Sequence, residues 1–179
     1  MITIRLFLLI SILSCFLEVT AQEHYELKVI VSDKEHTFSK DVVSRQLTAQ
    51  TQISPRKTLG FFTDRDENIP FYFSCVMLDS ASDKISTGDY PLLRVQNDMP
   101  VPVKGLLKGG FLAIKMNDKV IANPEEYTSM PGSKNVITIK EINDKEIKGI
   151  FNARMECTSD TTKQLDVSGS FVIRNPEYK

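Results

Sequence analysis

Hydrophobic and polar residues alternate along most of this chain, which is typical of β-strands that bury one face. The clearest run covers residues 147–157, where Phe151 and the apolar residues at every second position share one face. The alternation resumes at 165–173 after a polar, turn-rich segment. Two such runs in tandem predict an antiparallel hairpin. Because the β-branched run 136–142 precedes them, the last third of the chain is predicted to be a three-stranded meander.

The same period predicts further strands earlier in the chain. These strands are expected at 25–31, 59–63, 69–78, 109–116 and 120–122. Residues 41–52 also fit a helical spacing, but we interpret them as a strand. About nine or ten short strands separated by turn signals predict an all-β fold, either an antiparallel β-sandwich or a small β-barrel. The sequence does not decide between these two architectures.

Two segments break the alternation. Asn123-Pro124, followed by two glutamates, is typical of a helix start and predicts a short helix that Pro131-Gly132 ends. Residues 97–110 contain two prolines and three glycines, which predict a long irregular connection. Long connections in compact domains often carry function.

The N-terminus follows a different pattern. Residues 6–13 form an almost unbroken apolar run after Arg5, and small residues lead up to Ala21. This order is typical of a secretory signal peptide, and the apolar run is shorter than the roughly 20 residues that span a bilayer. We predict a signal peptide at 1–21 and a single all-β domain at 22–179, located outside the cell or in the periplasm or cell envelope.

Ser14-Cys15 gives the leader a second interpretation. A small residue before a cysteine approximates the lipobox of bacterial lipoproteins, in which that cysteine is lipidated. Leu13 is bulky for its place and the apolar run continues beyond the cysteine, so we favour cleavage after Ala21. A lipid anchor through Cys15 is the alternative.

Composition limits the classes of partner. Removal of residues 1–21 from the 179-residue chain leaves 158 residues, a typical size for one domain. The whole chain has 22 basic and 23 acidic side chains, and removal of the predicted signal peptide takes away one of each, Arg5 and Glu18. This near-neutral balance argues against nucleic acid and anionic membranes, which need clustered lysine and arginine. No second apolar stretch is long enough to predict a transmembrane segment.

Two cysteines remain after the leader, Cys75 and Cys157. In an oxidising compartment they can form a disulfide, and otherwise they are two buried thiols that pack as small hydrophobic groups. The residues leave both alternatives open. Both cysteines fall on inward positions of their predicted strands, which does not suit a catalytic thiolate.

No other residues form a recognisable chemical site. Residues 64–68 begin like a calcium loop, but Ile69 and Cys75 stand where such a loop needs glycine and glutamate. We therefore interpret 64–68 as an exposed hairpin tip. His24 and His36 lack the further ligands that a zinc site requires. The sequence thus predicts no catalytic, cofactor-binding or metal-binding residue, and no cofactor.

An aromatic run marks the middle of the chain. Phe71 and Phe73 share one strand face, and Tyr72 lies on the other. We interpret the phenylalanines as core residues, and the alternative is the wall of an apolar cavity inside a barrel. We expect a non-enzymatic protein that binds a partner or has a structural role, the partner being a protein, a glycan or a small apolar ligand. The alternatives are a lipocalin-like carrier of an apolar ligand and an enzyme of unrecognised type.

The order of several short motifs resembles a known group of proteins. Ile-Ser-Thr-Gly-Asp-Tyr at 85–90 is followed by the β-branched run at 136–139 and by glycine-aromatic steps at 147–151 and 167–171. Over residues 59–175 this succession is similar to uncharacterised families of signal-bearing, often lipid-anchored proteins of the Bacteroidota cell envelope. The resemblance implies an envelope location and an all-β fold, and it implies no catalytic residue.

Overall fold

The computed structural model describes residues 25–39, 42–50, 55–63, 69–79, 84–96, 99–100, 108–116 and 125–176. The predicted signal peptide, Cys15, His24, the hairpin tip at 64–68 and the strand at 120–122 lie outside these ranges. The regular secondary structure of the described residues is all strand. None of these residues belongs to a helix of the length and hydrophobicity needed to cross a membrane.

Thirteen strands follow one another along the described chain. They are β1 (Glu26–Val31), β2 (Lys34–Phe38), β3 (Val42–Gln50), β4 (Pro55–Thr63), β5 (Phe71–Asp79), β6 (Gly88–Pro91), β7 (Val95–Gln96), β8 (Met99–Pro100), β9 (Lys108–Met116), β10 (Glu126–Ser129), β11 (Val136–Ile142), β12 (Glu146–Cys157) and β13 (Gln164–Arg174). The predicted meander at the end of the chain is confirmed as β11, β12 and β13, and the interpretation of 41–52 as a strand is confirmed as β3.

Eleven of the strands form one antiparallel sheet. Its main order is β2-β1-β13-β12-β10-β9-β5-β4-β3, with β11 paired to β12 and β6 paired to β11, while β7 and β8 form a separate pair. One edge of the long strand β12 is shared, since its first half pairs with β11 and its last three residues pair with β10. The sheet branches at this point. The part that contains β4 and β5 curls toward the part that contains β12 and β13.

Aromatic rings join the two halves of the curled sheet. The ring of Phe61 on β4 lies 4.8 Å from that of Phe171 on β13, and Phe73 on β5 lies 5.1 Å from Phe151 on β12. The strands of each pair are not neighbours in the sheet, so these contacts cross the interior. All four phenylalanines are at most 3% exposed. The interpretation of the aromatic run as core is therefore the one that the structure favours.

Two glycines allow the rings to lie flat on the sheet. Gly149 stands opposite Phe171 on β12 and β13, and Gly169 stands opposite Phe151 at the next inward position. A Cβ atom at Gly149 would lie 2.3 Å from Cζ of Phe171, and one at Gly169 would lie 2.5 Å from Cζ of Phe151. Each glycine thus provides the space that the opposite ring fills.

The predicted short helix after Asn123-Pro124 is wrong. Residues Glu126–Ser129 form strand β10, which lies between β9 and β12. Tyr127 is paired with Ile114 on one side and Cys157 on the other, and its side chain is only 5% exposed. Pairing with two neighbouring strands overrides a helix signal that depends only on local capping.

The cysteines are buried free thiols. Cys75 lies on β5 and Cys157 on β12, and strands β9 and β10 separate these two in the sheet. Three interstrand spacings amount to about 14 Å along the sheet, whereas a disulfide needs Cα atoms within about 7 Å. Of the two alternatives for the cysteines, the structure has the buried thiols and not the disulfide. Burial also raises the pKa of the Cys75 thiol well above its ordinary value, which removes it as a nucleophile.

Candidate functional site

An open pocket of about 250 Å³ lies where β11 turns into β12, and we call it the end pocket. Four segments that are far apart in the sequence meet there: β4, the segment before β6, the β11–β12 turn and the residues after β13. The lining residues are Thr58, Leu59, Lys84, Ile85, Ile142, Asn143, Asp144, Ile147, Asn175 and Pro176.

The end pocket has an aliphatic floor and a polar rim. Leu59 and Ile147 are almost completely buried, and Ile85 and Ile142 are partly buried against the core. The polar rim residues Lys84, Asn143 and Asp144 are exposed. None of the ten lining residues is aromatic, so the described part of the chain offers the pocket no flat surface on which a sugar or a nucleobase could stack.

The β11–β12 wall of the end pocket is a turn that Asn143 stabilises. Its side-chain oxygen accepts hydrogen bonds from the backbone N–H groups of Lys145 and Glu146, both at 2.9 Å. Its backbone N–H donates to the carbonyl of Glu146 at 3.0 Å. An asparagine that bonds to the backbone two residues on is a common turn device. It fixes the position of Asp144 on the rim.

The wall after β13 is tied to this turn. The backbone N–H of Asn175 donates to the carbonyl of Lys145 at 2.8 Å, and its side-chain amide donates to the carbonyl of Asn143, also at 2.8 Å. Two walls of the end pocket are therefore bonded to each other rather than merely adjacent.

A buried polar cluster holds the third wall, which contains Lys84 and Ile85. The hydroxyl of Tyr90 donates to the carbonyl of Ser86 at 2.7 Å and accepts from its N–H at 3.0 Å. The Ser86 hydroxyl donates to Oδ2 of Asp79 at 2.7 Å, and Asp79 is only 3% exposed. These bonds connect the segment before β6 to the end of β5.

Lys108 completes this cluster from β9. Its Nζ lies 3.8 Å from Oδ2 of Asp79, donates to the carbonyl of Thr87 at 2.8 Å and sits 5.1 Å from the centre of the Tyr90 ring. Burial is the main cause that raises the pKa of Tyr90, so its hydroxyl stays protonated and continues to donate. A serine bonded to a carboxylate could suggest a nucleophile, but here Tyr90 and Lys108 also bond to the backbone of this segment. The cluster therefore has a positioning role beside the end pocket.

A second polar cluster lies around the β12–β13 turn. The hydroxyl of Tyr127 donates to Glu125 at 2.8 Å, and Glu125 also forms an ion pair with Lys163. Burial, followed by the bond to Glu125, raises the pKa of Tyr127 to about 12. Sγ of Cys157 lies 3.3 Å from the Ser159 hydroxyl. These contacts fasten β10 to the turn, and Tyr127 lies in this strand, directly preceded by Glu125, rather than in the predicted helix.

His36 lies on β2, where its ring meets the edge of Phe71 at 5.0 Å. Burial, and then the charge of Lys34, lowers the pKa of His36. The folded state therefore favours the neutral ring, whose stabilising effect is complete above pH 6.5 or so and is lost as the pH falls through the lowered pKa. Within the described ranges no three histidine, cysteine or acidic side chains are grouped so that they could hold a metal ion.

No family model, curated protein or solved structure matches the chain. The resemblance to envelope families of the Bacteroidota therefore stays a prediction. The end pocket is the candidate site, and the pattern of residues along the chain did not single it out. The signals present in the sequence were the turn at 143–145 and the motif at 85–90, and neither one indicates that the two segments meet.

Proposed function

We propose that the protein is an exported, non-enzymatic binding protein of the cell envelope or extracellular space, and that it recognises its partner through the end pocket. One observation carries this proposal: three walls of the pocket are held by hydrogen bonds of their own. A concave site that is already formed loses little conformational entropy on binding, which favours affinity. The signal-like leader supports the exported location.

The filled interior supports this function over that of a carrier. A barrel-type carrier encloses its ligand in a cavity of several hundred Å³. Here the inner faces of β4, β5, β12 and β13 contact each other through their phenylalanine rings. A ligand of that kind would have to displace Phe61, Phe73, Phe151 and Phe171 from the core.

The arrangement of the polar groups supports binding rather than catalysis. Asp79, Ser86 and Lys108 bond to one another and to the backbone beside the pocket. Across the described residues, every buried side-chain nitrogen or oxygen has a hydrogen-bond partner. Asp79 is only 3% exposed, so this carboxylate is placed to hold the segment before β6 rather than to reach a substrate.

Site-specific photocrosslinking tests the proposed function and does not require the partner to be identified first. Asp144 on the rim is replaced by benzoylphenylalanine in the cells that naturally make the protein, and Glu35, exposed on β2, receives the same replacement as the control. We expect adducts from position 144 and none from position 35. The adducts should disappear when Ile142→Trp fills the pocket. Equal crosslinking at both positions, or none at 144, would refute the function.

A further inference from the structure

We propose that the end pocket accepts a branched aliphatic side chain (leucine, isoleucine or valine) from an uncharged peptide segment of a partner protein. This inference rests on the proposed function and names the class of group that is recognised. Three properties of the pocket support it: the chemistry of its floor, its size and the balance of charge on its rim.

The floor selects an aliphatic group. Ile85 and Ile142 provide its accessible aliphatic surface, since Leu59 and Ile147 are only 2% and 3% exposed. Transfer of a branched aliphatic side chain from water to such a surface is favourable, and increasingly so with each CH₂ group that it buries. A charged side chain would lose hydration against these isoleucines.

The size favours a side chain with its adjoining main chain over a complete drug-sized ligand. The end pocket has a volume of about 250 Å³. Sites that enclose a complete small molecule measure roughly 300–1,000 Å³. A single anchoring side chain in a small socket is instead a common arrangement at protein–protein interfaces.

The rim favours an uncharged main chain next to that side chain. Of the rim residues that the structure describes, Lys84 carries a positive and Asp144 a negative charge, and Asn143 and Asn175 are neutral amides. A ligand with a net charge would be attracted by one of the two charged groups and repelled by the other. A peptide main chain is dipolar but uncharged, so it avoids this repulsion.

Nuclear magnetic resonance titration of residues 22–179 tests the inference. The probe is N-acetyl-leucine-N-methylamide, an uncharged peptide mimic, and N-acetyl-alanine-N-methylamide is its matched control. We expect saturable shifts of the Asn143, Lys145 and Asn175 amide signals with the leucine probe. The alanine probe should bind at least about tenfold more weakly, because it buries fewer methyl and methylene groups.

Paired protein variants show whether the signal comes from the pocket. Ile142→Trp fills the end pocket, and Ile150→Trp makes the same change on the outer face of β12, where Ile150 is 39% exposed. We expect Ile142→Trp to abolish the shifts and Ile150→Trp to leave them unchanged. Far-ultraviolet circular dichroism confirms that both variants are folded. Should Ile142→Trp not fold, Ile85→Trp on the wall before β6 replaces it, with the same expected result.

Other outcomes overturn the inference. Equal binding of the alanine probe would show that the floor does not select an aliphatic group. Tighter binding of free leucine or of isovalerate would indicate a small charged ligand rather than a peptide segment. If the leucine probe does not bind although crosslinking at position 144 succeeds, the ligand class is wrong while the binding function stands. Failure of both experiments refutes both proposals.

Discussion

Substitution of Gly169 by alanine is the most direct test of how the core of this protein is built. A Cβ atom at this position would lie 2.0 Å from the carbonyl oxygen of Lys28 on β1 and 2.5 Å from Cζ of Phe151 on β12. Real Cβ atoms do not approach other heavy atoms this closely. The ring could rotate away, but the carbonyl oxygen belongs to the backbone of a paired strand.

The expected magnitude follows from these two contacts. An additional methyl group in a well-packed site costs about 1–3 kcal/mol and sometimes more. The Lys28 oxygen cannot move without shifting β1 relative to β13, which places Gly169→Ala at the upper end of that range. Alanine recovers about 0.4–1 kcal/mol because it restricts the unfolded chain. We therefore expect a net loss of about 2–3 kcal/mol in the free energy of unfolding.

Guanidinium denaturation of residues 22–179, followed by circular dichroism, measures this loss. The midpoint should fall while the slope of the transition stays constant. The double variant Gly169→Ala/Phe151→Leu should relieve the ring contact but not the contact with Lys28, so the two changes should couple only partly.

Gly132→Ala is the control for the glycine substitution itself. Gly132 lies in an exposed turn, where the added Cβ would meet the end of the Asn135 side chain at 2.9 Å rather than a backbone atom. We expect a loss below about 1 kcal/mol. A loss of less than about 1 kcal/mol for Gly169→Ala, or the same loss as for Gly132→Ala, would contradict the packing described for β1, β12 and β13.

Three further predictions concern titration, thiols and export. His36→Phe should flatten the decrease of stability that sets in as the pH falls below about 6.5, because no ring is then left to be protonated in the unfolded state in preference to the folded one; a decrease as steep as in the unsubstituted protein would contradict this. Thiol titration of the unfolded protein without reductant should count both Cys75 and Cys157, and a count of zero would indicate a bridge. Intact mass of the exported protein should correspond to cleavage after Ala21, whereas a lipidated N-terminal Cys15 would establish the alternative.

Much of the strand content could be predicted from the sequence, because the alternation of buried and exposed side chains is a local property of a strand. The predicted run 136–142 coincides with β11. Strand β12 begins one residue before its predicted start, and β13 extends one residue beyond its prediction at each end. Local signals failed at Glu126–Ser129, where Asn123-Pro124 favoured a helix. Strand pairing on both sides of Tyr127 outweighed that preference.

The end pocket depended entirely on the tertiary structure. Its turn residue Asn143 was recognisable in the sequence, but Leu59, Ile85 and Asn175 come from three other parts of the chain. The two-residue period indicates which side chains of a strand are buried. It does not indicate which distant strand covers them. The separation of Cys75 from Cys157 has the same origin, because sheet order places β9 and β10 between them. Local alternation thus specified the strands and their inward faces, whereas strand order and the curl of the sheet specified which residues meet.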